Sequence, residues 1–181
     1  MPTINGANGQ DAHVTDDGQL ETYSVTESES LHVNEDNQEA YCALVDVTPG
    51  TTDDDFFYLK NLSDHDLVIT KIEGWCADAN QEISVVLGAT DAGTDAGDDV
   101  IPANENAGSG NTADVDCTQD ATDLAITGGR VVRILKFPTT ALERATFKWP
   151  EGLILPKNQR LHLQAALAGL INLNVFFYFH Q

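Results

Sequence analysis

Chemistry needs a nucleophile, an acid–base pair or a ligand set held at short range. The side chains that could supply one are scattered in this chain. The five histidines, His13, His32, His65, His162 and His180, form neither an HxH nor an HExxH pattern, so no zinc site is spelled out. His162 and His180 fall in strand-like runs and are expected to be structural. Gly108-Ser109-Gly110 lacks the flanks of a nucleophile elbow, and no apolar strand leads into it. No glycine-rich phosphate cradle follows a strand, and there is no Walker-type lysine. Paired carboxylates stand at Asp53-Asp54-Asp55, Asp64/Asp66 and Asp114/Asp116. Such pairs arise by chance in so acidic a chain, and glycosidase chemistry needs two carboxyls across a cleft. No enzymatic role, catalytic residue or cofactor is therefore expected.

One acidic segment has the composition of a cation loop. Asp91, Asp95 and Asp98 could offer oxygens to calcium from a flexible stretch. The register is not that of an EF-hand, and no glutamate closes it, so a solvated loop is the expected reading and no metal is assigned. Cys42, Cys76 and Cys117 are too few and too far apart for a disulfide framework or a CxxC site. Cys42 lies in an apolar run and is expected in the core; a Cys76–Cys117 bond is open. The opening Met1-Pro2-Thr3-Ile4-Asn5-Gly6 does not read as a signal peptide, and no stretch is apolar enough to span a membrane. Folding in a reducing cytoplasm is expected, which makes the Asn61-Leu62-Ser63 sequon a coincidence.

Charge narrows the partners. The chain has 29 acidic and 9 basic residues among 181, a formal net charge of -20. Such a charge repels phosphate backbones and anionic membranes, so neither nucleic acid nor membrane is an expected partner. The distribution is uneven: residues 1–59 hold 13 Asp and Glu and no Lys or Arg. A basic band follows late, with Arg130, Arg133, Lys136, Arg144, Lys148, Lys157 and Arg160 against Glu143 and Glu151. The band could pair with acidic surface within the chain or on a neighbour, or both could be solvated faces.

The elements that would position these groups read as strands. Residues 1–39 are polar and form an extended N-terminal arm; residues 40–181 form one β-sandwich domain. Apolar or alternating runs occur at 40–47, 56–62, 67–75, 82–87, 130–137, 145–149, 153–155, 159–165 and 170–180. Phe56–Leu62 and Leu67–Trp75, separated by Ser63-Asp64-His65-Asp66, read as a hairpin. Thr140–Glu143 has capping-box spacing, but the alternation that follows favours strand. Residues 88–122 read as one long acidic loop with a short strand at Val100-Ile101. The final run is too apolar for a bare edge and should be central or covered. The fold class is all-β, a sandwich or jelly roll of about eight to ten strands.

Three stretches resemble small structural proteins of tailed bacteriophage particles. Ile4–Leu20 is similar to a phage pattern of polar lead, short alanine-x-valine strand, aspartate-glycine turn and leucine. Phe57–Ile69 resembles a tyrosine-leucine-lysine-asparagine … aspartate-leucine-valine-isoleucine hairpin. Pro150–Pro156 leading into Leu161-His162-Leu163 is like the paired final strands of phage jelly rolls. The resemblance implies a repeated virion role, assembled in the host cytoplasm, as a head decoration or cement protein bridging capsid subunits. Its partners would be its own copies, often trimers, and major capsid or other virion proteins. Contacts would come from Ile4, Val14 and Leu20 of the arm and from Arg130, Arg133, Lys136, Arg144 and Lys148 of the basic band. A collar, tail or fibre-associated role, with receptor or carbohydrate stacking on Trp75, Trp149, Tyr58 or Tyr178, is the alternative.

Overall fold

The computed structural model describes residues 38–90, 97–122 and 124–180, the backbone of 3–5, 11–14 and 20–21, and Val33. Near the N-terminus, β1 (Thr3–Asn5), β2 (Asp11–Val14) and β3 (Leu20–Glu21) pair antiparallel as a three-stranded sheet. The rest is all-β. It comprises β4 (Ala40–Val47), β5 (Asp54–Asn61), β6 (Asp66–Cys76), β7 (Glu82–Ala89), β8 (Asp98–Asp99), β9 (Ala103–Asn104), β10 (Val115–Gln119), β11 (Gly128–Lys136), β12 (Ala145–Leu155), β13 (Arg160–Ala165) and β14 (Ile171–His180). Two antiparallel sheets result, with orders β11-β7-β13-β5-β10-β8 and β12-β6-β14-β4-β9. Among the described residues no helix is long and apolar enough to cross a membrane.

Period-two alternation decides which face of each strand is buried. Leu161, Leu163 and Ala165 of β13 are fully buried, as are Ile171, Leu173 and Val175 of β14. They meet Phe57, Leu59, Val85, Tyr41 and Val45 in one core shared by both sheets. Tyr41 stacks on Phe177, ring centroids 5.7 Å apart, and meets Phe179 edge-on at 5.8 Å. The apolar final strand β14 is central, hydrogen-bonded to β6 on one side and β4 on the other. Its outward Tyr178 is covered by Val33, Ala40 and Val68.

Several local expectations are corrected. β5 and β6 do not form a hairpin: β5 pairs with β13 and β10, whereas β6 pairs with β12 and β14. The turn between them is an arch from one sheet to the other. Asn61 holds it by donating its amide to the carbonyls of His65 and Leu155, both at 2.8 Å, and by accepting from the Ser63 backbone at 2.9 Å. The strands at 145–149 and 153–155 are one, β12, whose register shifts between Lys148 and Leu153, where Pro150 lacks a donor and Gly152 sits at φ 73°. No helix starts at Thr140. The acidic insertion holds three short strands, β8 to β10, and Val100-Ile101 links them without being one. Cys42 faces outward and is only half-buried, because Tyr41 and Ala43 take the inward positions. Cys76 and Cys117 are separate free thiols in the core.

Candidate functional site

The strand orders give the sandwich two rims. β11 and β12 end their sheets on one side; β8 and β9 end them on the other.

On the first rim, β11 is a nine-residue strand with one paired side, along β7. Its register shifts between Val131 and Arg133, which leaves Val132 unpaired. Val131, Val132 and Ile134 are 50%, 44% and 47% exposed. An open edge with three exposed β-branched residues is a ready template for association; bulges and basic side chains limit indiscriminate pairing there. Five residues of the basic band, Arg130, Arg133, Lys136, Arg144 and Lys148, lie on the same rim; Lys157 pairs with Asp64 and Arg160 stands on β13. Arg130, Arg144 and Lys148 are exposed and have no ion-pair partner among the described residues. Lys136 is engaged by Glu82 of β7 at 2.6 Å. Arg133 turns inward instead. Its guanidinium lies 4.6 Å from the Trp149 ring centroid and donates to the Lys148 carbonyl at 2.9 Å. It is a clasp between the sheets, next to the Phe137–Phe147 edge contact at 5.2 Å. The basic band is thus part free surface and part closure, a division that its sequence could not show.

The second rim is acidic. Between residues 97 and 120 stand Asp98, Asp99, Glu105, Asp114, Asp116 and Asp120 with no Lys or Arg; Lys60 of β5 is the cross-strand neighbour of Asp116. A groove of about 400 Å³ opens here, lined by Leu62, Val100, Ile101, Ala113 and Val115 together with Asp99 and Asp116. Ile101 is 85% exposed. Burial, with the charges of Asp116 and Asp99, raises the Cys117 thiol far above its ordinary range, so the negative field reaches into the rim. The Asp46 backbone donates to Gln119 Oε1 at 3.0 Å and joins the two sheets at this side.

A buried polar pair lies elsewhere, on the outer face of the six-stranded sheet. His162 Nε2 is 3.2 Å from Asp55 Oδ1, and both side chains are buried. A strap at 124–127 covers this face: Leu124 and Ile126 pack on Tyr58 and Ala89, and the Leu124 backbone donates to the Asp55 carbonyl at 2.9 Å. His162 and Thr118 flank Tyr58 on opposite sides of β5, two strand spacings or roughly 9.5 Å apart, too far for proton relay. The pair is a close buried contact between β5 and β13 without hydrogen-bond geometry: Asp55 Oδ1 and His162 Nδ1 have no hydrogen-bond partner among the described residues. Asp54 and Asp55, read from sequence as a chance pairing, are buried. The hint was the apolar spacing of Leu124 and Ile126 in a polar stretch.

Other expectations divide. Ile4, Val14 and Leu20 lie on β1, β2 and β3, but their side chains lie outside the described residues. Asp91 and Asp95 also lie outside them; Asp98 is exposed on β8 opposite Gln119. Among the described residues no group of three or more His, Cys, Asp or Glu could hold a metal ion. Of the four stacking candidates, Tyr58 and Tyr178 are buried and Trp149 lies under Arg133. Trp75 is half-buried on the outer face of the five-stranded sheet, opposite Asn172. Comparison with protein-family models, curated proteins and solved structures gives no match to this chain.

Proposed function

We propose that the chain is a structural accessory protein of a viral particle, of the capsid decoration or cement type, that stabilises the particle through contacts made by its rims. The observation that carries this reading is the β11–β12 rim, where exposed Val131, Val132 and Ile134 coincide with exposed Arg130, Arg144 and Lys148. An exposed apolar patch mixed with one sign of charge favours a protein partner of opposite charge.

The strand pairing supports a jelly-roll reading. β4 pairs with β14, β5 with β13, β6 with β12 and β7 with β11. These four nested pairs follow the double Greek-key winding used by capsid and lectin domains. Of the three phage-like stretches, two fall on β5–β6 and β12–β13, but β5–β6 is an arch and not the implied hairpin, and β12 and β13 lie in different sheets and are not a pair, so the resemblance there is one of sequence and not of pairing. Partners on this reading are the chain's own copies and major capsid or other virion proteins, in particles assembled in the host cytoplasm.

The test is the copy number of the chain in purified particles by quantitative mass spectrometry. Hundreds of copies are expected for decoration. A dozen or fewer would move the role to collar or tail, and absence from the particle would overturn the reading. A second reading, carbohydrate binding, rests on Trp75 beside Asn172, an aromatic face next to an amide. A glycan-array signal abolished by Trp75→Ala would support it, and silence would remove it.

A further inference from the structure

We propose that copies of this chain associate head to tail, the basic β11–β12 rim of one seating in the acidic groove that residues 99–102, 113 and 115–117 line on the next. The inference rests on the reading of the chain as a binding protein and names the geometry and chemistry of one of its contacts.

Three observations converge on a second copy as the occupant. First, the two surfaces complement each other in both charge and apolarity. One presents Val131, Val132 and Ile134 beside Arg130 and Lys148; the other offers Ile101 and a groove of mixed apolar and polar lining that includes Asp99 and Asp116. Second, the charges are segregated along the chain. No Lys or Arg occurs between Lys71 and Arg130, so the acidic rim has few cations of its own to satisfy it. Third, the two surfaces lie on opposite edges of the sheets, where a single chain cannot bring them together but two chains can.

A symmetric contact of basic rim on basic rim would oppose Arg130, Arg144 and Lys148 to themselves, which like-charge repulsion disfavours. The contact is therefore heterologous, and copies form an open string or a wide ring. The net charge of -20 opposes association at long range. At physiological ionic strength the Debye length is about 8 Å, so whole-molecule repulsion is screened while direct rim contacts persist.

The experiment is sedimentation velocity with light scattering on the purified full chain at physiological salt, without particles. The wild type should associate with rising concentration. Arg130→Glu with Lys148→Glu should disable one surface, and the neutralising pair Asp99→Asn with Asp116→Asn the other. Each double variant alone should lose at least about a hundredfold in affinity. Mixed in equal amounts they should join once, into a one-to-one dimer and nothing larger, because only one competent surface of each kind remains. Circular dichroism checks folding, and Ile101→Glu at a highly exposed position gives an independent disruption of the groove.

A wild type that stays monomeric at its solubility limit would overturn the proposal. So would a mixture that fails to join, or acidic-rim variants that associate normally. None of these outcomes bears on copy number in particles, so the two readings fail separately.

Discussion

Replacing Arg133 with alanine removes two contacts at once from the open side of the sandwich. The guanidinium donates to the Lys148 carbonyl at 2.9 Å and lies 4.6 Å from the Trp149 ring centroid. An exposed hydrogen bond from a charged donor contributes about 0.5–1 kcal/mol, and a partly exposed cation–π contact about 0.5–1 kcal/mol. With the lost packing of the aliphatic stem, Arg133→Ala should cost about 2 kcal/mol and lower Tm by about 4–8 °C in a domain of this size. Arg133→Lys keeps the charge but loses the planar stack and the fixed fork, so it should recover less than half of the loss. The decisive quantity is coupling. Urea unfolding followed by circular dichroism, on the wild type, Arg133→Ala, Trp149→Leu and the double variant, should give a coupling energy of about 0.5–1 kcal/mol. Losses that add within about 0.3 kcal/mol would refute the clasp and return Arg133 to the free basic surface.

Leu124→Ala should cost about 2–4 kcal/mol, because Leu124 is 1% exposed in the strap over Tyr58 and Ala89; a loss below that range in chemical denaturation would mean the strap is not packed as described. Partial desolvation raises the Glu105 carboxyl, although the residue is exposed at the surface, with Lys71 opposing and Glu73 adding to the shift. A raised carboxyl destabilises the fold at pH values above both its folded and unfolded titration points, and the penalty vanishes as pH falls through the folded and then the unfolded value. Glu105→Gln should therefore raise Tm at neutral pH and lose that advantage in acid, and a pH-independent difference would contradict the assignment. Cys42 should be alkylated before Cys76 and Cys117, since it alone of the three is half-exposed. Burial pushes its thiol up to about 11, so reaction at neutral pH should be roughly a hundredfold slower than for a free thiol. Mass spectrometry showing Cys76 or Cys117 modified first would refute this.

The buried faces of the strands were legible in the sequence because alternation has one meaning on a pleated backbone. Leu161, Leu163 and Ala165 point inward as their spacing requires, and the final strand is central as its apolarity requires. Pairing was not legible. The β5 and β6 runs look like the arms of a hairpin, yet alternation says which face is buried and not which strand lies alongside. Asn61 decides the matter through hydrogen bonds to His65 and to the distant Leu155. Cys42 and Tyr41 were equally apolar by type; only register placed the tyrosine inward. Of the candidate surface, the basic band was visible as composition. Its split into free Arg130, Arg144 and Lys148 and the engaged Arg133 depends on a ring supplied by the opposite sheet. Asp55 was hidden because its histidine partner lies on another strand, brought beside it by the β5–β13 ladder.

The nesting of strand pairs also sets the order in which the molecule can be made. β4 and β14 are partners at opposite ends of the sandwich sequence, and every other pair is enclosed within theirs. During translation β4 and β6 emerge early, but the slot between them belongs to β14, the last strand of the set. Until it leaves the ribosome the five-stranded sheet has a gap with two unsatisfied edges, and half of the core has no lid. Folding of this sheet therefore waits for its last strand, is slow as expected of high contact order, and is exposed to mispairing while it waits. Acidic side chains throughout the early strands and linkers keep such waiting chains apart by mutual repulsion, so the negative charge protects the nascent protein before it shapes any finished surface.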